Sequence, residues 1–313
     1  MTDPAPQPSS SGDKTQQGVI AALLAYSLWG LLPVYFIFAR SISSEEILTH
    51  RVLWSVPVGI LIIHFRHQWG DVKRALTTPK TLVTLVATAV LIGFNWYMYI
   101  ATVQAGRVFE TSLAYYINPL FTVMAGVFLL KERLRKAQKL AVGLAAVGVI
   151  LLVIYGGTIP YAGLALAVTF TLYGLLRKRA DVGAMPGLFV ETLILIPFAA
   201  IYLCWLINTT DTGIMSGDPG KVSLLLFAGP ATVAPLLAFA IAARQLSLGT
   251  LGFLQFLGPT IQFFVGVADG EAFTTAHQLC FAFIWGAAGI FAFDAWRSQG
   301  KERKVKAARV TKS

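Results

Sequence analysis

The chain has 313 residues, of which 56% are hydrophobic and only 13% charged, and its net charge is +10. A soluble domain carries about 25% charged residues, so this chain cannot cover itself with polar surface in water. Its Lys and Arg residues lie between apolar runs, not on one face among aromatics, which argues against a nucleic-acid partner.

Residues 1–17 are rich in Pro, Ser and Gln and lack the basic start and small-residue cleavage site of a secretory signal, so they read as a short disordered tail. The runs that follow are about 20 residues long, the length a helix needs to cross about 30 Å of hydrocarbon. They predict an all-α membrane protein with ten transmembrane helices, at 18–39, 46–65, 81–104, 108–130, 138–155, 160–177, 184–206, 222–243, 249–268 and 276–296. A basic tail, 297–313, closes the chain; Lys301 to Lys312 read as a solvated topology determinant in preference to an anionic-lipid site. Of the 25 Lys and Arg residues, 21 fall on the side of the termini, three (Arg40, Arg107, Lys221) on the other, and Arg51 within span two. The positive-inside rule then places both termini in the cytoplasm.

A repeat runs through these spans. Ser27-Leu28-Trp29-Gly30-Leu31-Leu32 returns as Thr171-Leu172-Tyr173-Gly174-Leu175-Leu176, a shift of 144 residues. With a shift of 140, Arg51 and Pro57 fall on Glu191 and Pro197, while Pro119, Gly126 and Gln138 fall on Pro259, Gly266 and Gln278. Each half, 18–155 and 160–296, holds five spans, an odd number that inverts the second copy. Two inverted five-helix repeats are the architecture of many secondary transporters, whose halves exchange conformations around a central site.

The sequence also resembles a known family through His50-Arg51-Val52-Leu53-Trp54, Asn95-Trp96, Thr111-Ser112-Leu113-Ala114-Tyr115-Tyr116-Ile117-Asn118-Pro119-Leu120 and Lys131-Glu132-Arg133. In the second half the resemblance rests on Tyr173-Gly174-Leu175-Leu176-Arg177-Lys178, Glu191-Thr192-Leu193, Thr250-Leu251-Gly252-Phe253 and Phe281-Ala282-Phe283-Ile284-Trp285. These motifs are similar to those of the RarD-like proteins of the EamA group, within the drug/metabolite transporter superfamily. The resemblance implies a ten-helix permease of the bacterial inner membrane, in a family named for chloramphenicol sensitivity.

Two charges lie inside the spans. A central arginine costs about 2.5–3.5 kcal/mol on insertion scales, so Arg51 is expected to face protein or water. Glu191, its repeat counterpart, must find a cation or take up a proton. The two approach from opposite faces, with about 8–12 Å of depth between them in a 30 Å core. Each is therefore expected to serve the gate or cavity of its own half. The competing readings are snorkelling or carbonyl capping for Arg51 and a helix-packing hydrogen bond for Glu191. Glu110, near a span end, reads as interfacial.

Asn95, Trp96 and Tyr99 in span three and Tyr115, Tyr116 and Asn118 in span four form a polar and aromatic set, with Trp29, Tyr173, Gln255 and Gln262 as further walls. Such a cavity suits an amphipathic or aromatic small molecule, although each ring alone is as well explained by packing. Pro119 and Pro259 are candidate hinges. Ala141 with Ala145 and Ala282 with Gly286 follow the small-xxx-small spacing of close helix contact, as scaffold or as a homodimer face.

Cys204 and Cys280 imply neither a disulfide framework nor a metal site. No P-loop, Ser/His pair or His-Glu-x-x-His motif occurs in the spans, so neither a cofactor nor catalysis is expected. The reading is a gradient-driven secondary transporter whose partners are a small-molecule substrate and membrane lipid, with a channel or a non-transporting membrane sensor as the alternative.

Overall fold

The computed structural model describes residues 11–130, 135–209, 212–246 and 248–310, and their side chains except at 11–14, 123, 126–130, 248–249 and 295–310. Among the described residues every regular element is a helix: α1 (Ser11–Phe38), α2 (Ser44–Phe65), α3 (Trp69–Thr77), α4 (Pro79–Gln104), α5 (Val108–Leu130), α6 (Lys136–Gly156), α7 (Tyr161–Arg179), α8 (Ala184–Thr209), α9 (Pro219–Gln245), α10 (Leu248–Leu254), α11 (Leu257–Ala268) and α12 (Thr275–Val310). Eight stretches are long and apolar enough to cross a membrane, α10 and α11 together supplying one of them. α5 and α7 stand outside that set; α7 ends on Arg177, Lys178 and Arg179.

The polarity of the bundle is the reverse of a soluble protein's. Val83, Phe198 and Ile201 are about 70% exposed on the outside, whereas Thr88, Thr111, Ser112 and Glu191 are fully buried. Only lipid makes such a surface stable, and the chain is a multi-pass membrane protein.

One expected boundary shifts, and two further helical segments come into view. Residues 11–17 of the expected disordered start belong to α1, and residues 1–10, like Lys131-Glu132-Arg133 and 311–313, lie outside the described residues. The basic tail continues α12 as far as Val310. The loop after span two contains α3, which is amphipathic: Val72 and Ala75 are buried against Ile63, Met185 and Phe189, and the Trp69 ring meets Phe189 at 5.9 Å.

Span nine is not one helix but two, α10 and α11, separated at Gln255 and Phe256. Pro259 is the physical cause. It has no N–H to give the Gln255 carbonyl one turn earlier, which instead accepts from Gly258 N at 3.3 Å in a tighter turn. Pro259 thus lies in the first turn of α11, not deep inside a helix, while its repeat partner Pro119 sits within an unbroken α5.

Under the repeat correspondence α1 matches α7, α2 matches α8, α4 matches α9, α5 matches α10 with α11, and α6 matches α12. The most extensive helix pairings are unchanged when these partners are exchanged. The contact of α1 on α9 has its image in α7 on α4, that of α2 on α9 in α8 on α4, and that of α1 on α11 in α7 on α5. The remaining large contacts, α2 on α8, α5 on α11 and α6 on α12, join each helix to its own counterpart. Glycine permits some of these approaches: a Cβ on Gly229 of α9 would collide with the Trp54 carbonyl of α2. Ala141 and Ala145 are buried where α6 meets α12, so their small-residue spacing serves the scaffold, whereas Ala282 and Gly286 face outward.

Candidate functional site

Arg51 is the eighth residue of α2 and Glu191 the eighth residue of α8. The two helices pack antiparallel, with Gly59 against Phe189 and Val52 in one cluster with Ala199, so the charges stand at different levels. They do not pair with each other, and their surroundings differ completely.

Glu191 has a full set of partners. Arg177 Nε lies 3.1 Å from its Oε1, Thr88 donates at 2.6 Å to the same oxygen, and Tyr173 donates at 3.1 Å to Oε2. Arg177 also donates to the carbonyls of Gly183 and Ala184, at 3.0 and 3.1 Å. The guanidinium passes so close to Gly187 that any Cβ there would overlap it. This carboxylate is therefore part of an ion pair joining α4, α7 and α8 near the face of the termini. Arg177 escapes sequence reasoning because it sits in a run of three basic residues that reads as a topology signal. The available clue is depth, since the end of α7 and the first two turns of α8 occupy the same level.

Arg51 has no such partner. It is 7% exposed, so it does not snorkel. Among the described residues no carboxylate lies within salt-bridge distance, no hydrogen bond holds its guanidinium, and its buried Nε is unsatisfied. Its company is aromatic: the guanidinium carbon lies 4.3 Å from the Trp96 ring centroid, and Tyr35, Tyr99 and Tyr115 are its electrostatic neighbours. Tyr99 and Tyr115 meet edge to face at 5.8 Å, and the Tyr99 hydroxyl lies beside Thr111 without reaching hydrogen-bonding geometry. Tyr35 came into view only with the fold; sequence reasoning passed over it because α1 offered no polar neighbour to mark its face.

Tyr115 also lines a narrow cavity with Asn95, Asn118, Leu166, Ala167 and Phe170. Asn95 donates to the Leu166 carbonyl at 3.0 Å and to Thr169 Oγ1 at 2.8 Å, so its amide also ties α4 to α7. The Asn118 side-chain oxygen accepts from Thr171 at 3.0 Å. Tyr116, one residue from Tyr115, points the other way, sharing a hydrogen bond with Thr260 at 2.6 Å and packing on Phe256 and Phe281. The structure thus brings Arg51, Trp96, Tyr99 and Tyr115 together, with Asn95 and Asn118 on the adjoining cavity. Tyr116 and Gln255 stand apart, Gln255 at the break before α11. Gln262 is buried and donates to the Trp29 carbonyl at 3.3 Å.

Charge also gathers where α1 and α11 end and where α5 and α7 begin. Arg40 of α1 pairs with Asp269 after α11, and Arg107 pairs with Glu110 at 3.1 Å. Glu110 in turn accepts from Gly163 N at the start of α7, at 3.3 Å. Glu271, in the loop before α12, accepts from Phe109 N at 2.8 Å at the start of α5. Burial pushes the Glu271 carboxyl up to about 7, with Glu110 and Asp269 adding to the rise, against hydrogen bonds from the Phe109 and Val108 backbone.

The membrane-embedded helical bundle thus gathers a buried arginine and aromatic rings, with ion pairs at the ends of its helices. Residues 16–154 match the model of the EamA-like transporter family. An uncharacterized transporter of Vibrio cholerae is 43% identical over 93% of this chain and 97% of its own length. The RarD protein of Escherichia coli K12 is 42% identical over 93% of this chain and 99% of its own, and that of Salmonella typhi 44% over 92% and 99%. A solved crystal structure shares the fold, with a TM-score of 0.58 and 21% identity over 92% of this chain and 99% of its own. The chain belongs to the RarD-like permeases of the EamA family, and it is a membrane transporter of the drug/metabolite class.

Proposed function

We propose that this chain is a secondary transporter that moves a small amphipathic or aromatic solute across a bacterial inner membrane by alternating access, driven by a gradient. In this reading α5 and α7 complete ten spans, the halves 18–155 and 160–296 form inverted repeats, both termini are cytoplasmic, and the protein is not an enzyme. The observation that carries it is the exchange symmetry of the helix pairings, in which every large contact is either its own repeat image or has one. Two inverted halves joined in this way have two equivalent ways to tilt about the centre. The ties at each face, Arg40 to Asp269 on one and Arg177 to Glu191 on the other, would then part in turn. Arg51, Trp96, Tyr99, Tyr115, Asn95 and Asn118 would line the substrate path.

Reporter fusions test the topology: those at residues 70, 135 and 180 should read cytoplasmic and those at 43, 158 and 213 external. Two neighbouring loops reading the same side would break the ten-span arrangement. Solute counterflow in proteoliposomes tests the mechanism, because a carrier gives saturable exchange and a channel does not.

A further inference from the structure

The two halves carry charges at matching repeat positions, but among the described residues only one of them is balanced. In the second half Arg177 neutralises Glu191. Moving Arg177 back by the 144-residue repeat shift lands on Pro33, which carries no charge, so the first half has no counter-ion for Arg51 at the matching place. A cation that is 7% exposed, with an unsatisfied Nε and with aromatic rings as its neighbours, is unfinished chemistry inside a membrane. A buried charge in such surroundings is normally paired.

Resting on the transporter reading of this centre, we propose that the missing counter-ion is the substrate, and that the protein carries monoanionic carboxylates with an aromatic or apolar body. The planar fork of a guanidinium matches a carboxylate in two parallel hydrogen bonds. One negative charge on one arginine leaves the loaded centre neutral, whereas a phosphate dianion would leave a net charge in the bilayer. Trp96 covers one face of the guanidinium, and among the described residues no protein acceptor meets its N–H groups. Tyr115 links this fork to the cavity that it lines with Phe170, Leu166 and Ala167, which gives the substrate body rings and methyl groups to lie against. In this conformation the cavity has room for little more than a water, so the body is seated there only when the centre opens.

The test pairs carboxylates with their uncharged isosteres: indole-3-acetate with indole-3-acetamide, and phenylacetate with phenylacetamide. Binding is read by thermal stabilisation of the purified protein, and transport by counterflow in liposomes. Each carboxylate should bind about 10- to 100-fold more tightly than its amide, the range of a charge-assisted hydrogen bond in a desolvated site. Arg51→Gln should abolish the difference, and Arg51→Lys should keep part of it. The wild-type comparison needs no substitution, so a variant that fails to fold leaves the test intact. Equal binding of acids and amides, or exchange of neutral or cationic solutes only, overturns the anion assignment while leaving the carrier reading standing. Carboxylate binding without saturable exchange refutes the carrier reading and leaves the anion site. No binding of any compound in the panel overturns the anion assignment and leaves the carrier reading to the topology and counterflow tests.

Discussion

Arg177→Gln should be the most damaging single change at the face of the termini. Glu191 is 0% exposed and Arg177 is the one cation that reaches it among the described residues. Removing the arginine leaves a carboxylate with only Thr88 and Tyr173 as donors. Stranding one member of a buried pair costs about 3–5 kcal/mol. Glu191→Gln should cost less, about 1–3 kcal/mol, because the Arg177 side chain is 13% exposed and keeps the Gly183 and Ala184 carbonyls as acceptors. The double variant has no unpaired charge and should recover much of the loss, giving a coupling energy of at least about 1.5 kcal/mol. Arg51→Gln combined with Glu191→Gln should instead be additive within about 0.5 kcal/mol, since these residues share no partner. Denaturant unfolding of the four proteins of each cycle in micelles measures both numbers. Additivity in the Arg177 and Glu191 cycle, or strong coupling between Arg51 and Glu191, would refute this account of where the charges are balanced.

Gly187→Ala should mimic the loss of Arg177, because its Cβ overlaps the guanidinium; unfolding that shows no destabilisation would mean the arginine has another route to Glu191. Tyr115→Ala and Asn118→Ala should weaken apparent substrate affinity in counterflow, Asn118→Ala also losing about 1 kcal/mol with its bond from Thr171. Tyr116→Phe should lose about 1 kcal/mol of stability and leave affinity unchanged, and a large affinity loss there would move the site toward α11. Glu271 titrates at about 7 in the folded chain against an ordinary 4.5, so the folded state holds the proton more tightly. Its contribution is fully present below about pH 4.5 and is lost as pH rises through about 7. Glu271→Gln should therefore flatten that part of a melting-temperature profile between pH 4 and 8, and an unaltered profile would remove Glu271 as its source.

The spans were legible because lipid imposes length and apolarity together, and the boundaries of α2, α4, α5 and α8 follow the apolar runs within a few residues. The register of Arg51 and Glu191 was legible for the same reason, since each is the eighth residue of its helix. What the pattern hides is which way a side chain turns. Tyr115 and Tyr116 look alike in sequence, yet one step of about 100° around a helix sends one to Arg51 and the other to Thr260. Arg177 was hidden by its neighbours Lys178 and Arg179, and α3 by its shortness, which leaves it below the length of any span. The break before Pro259 needed the hydrogen bonds themselves, because Pro119 at the matched position leaves α5 intact.

That last difference makes the two halves mechanically unequal. α5 is a continuous rod through its proline, whereas α10 and α11 meet at a joint held by short-range turns, and backbone of that kind bends more readily than a regular ladder. A carrier built of identical halves would meet the same barrier on its outward and return strokes. In the alternating-access cycle proposed above, a joint in one half only makes the two end states unequal in energy, so the forward and return rates over their shared barrier differ. In that cycle a gradient would still set the direction of net flow, and the joint would decide which stroke keeps the time.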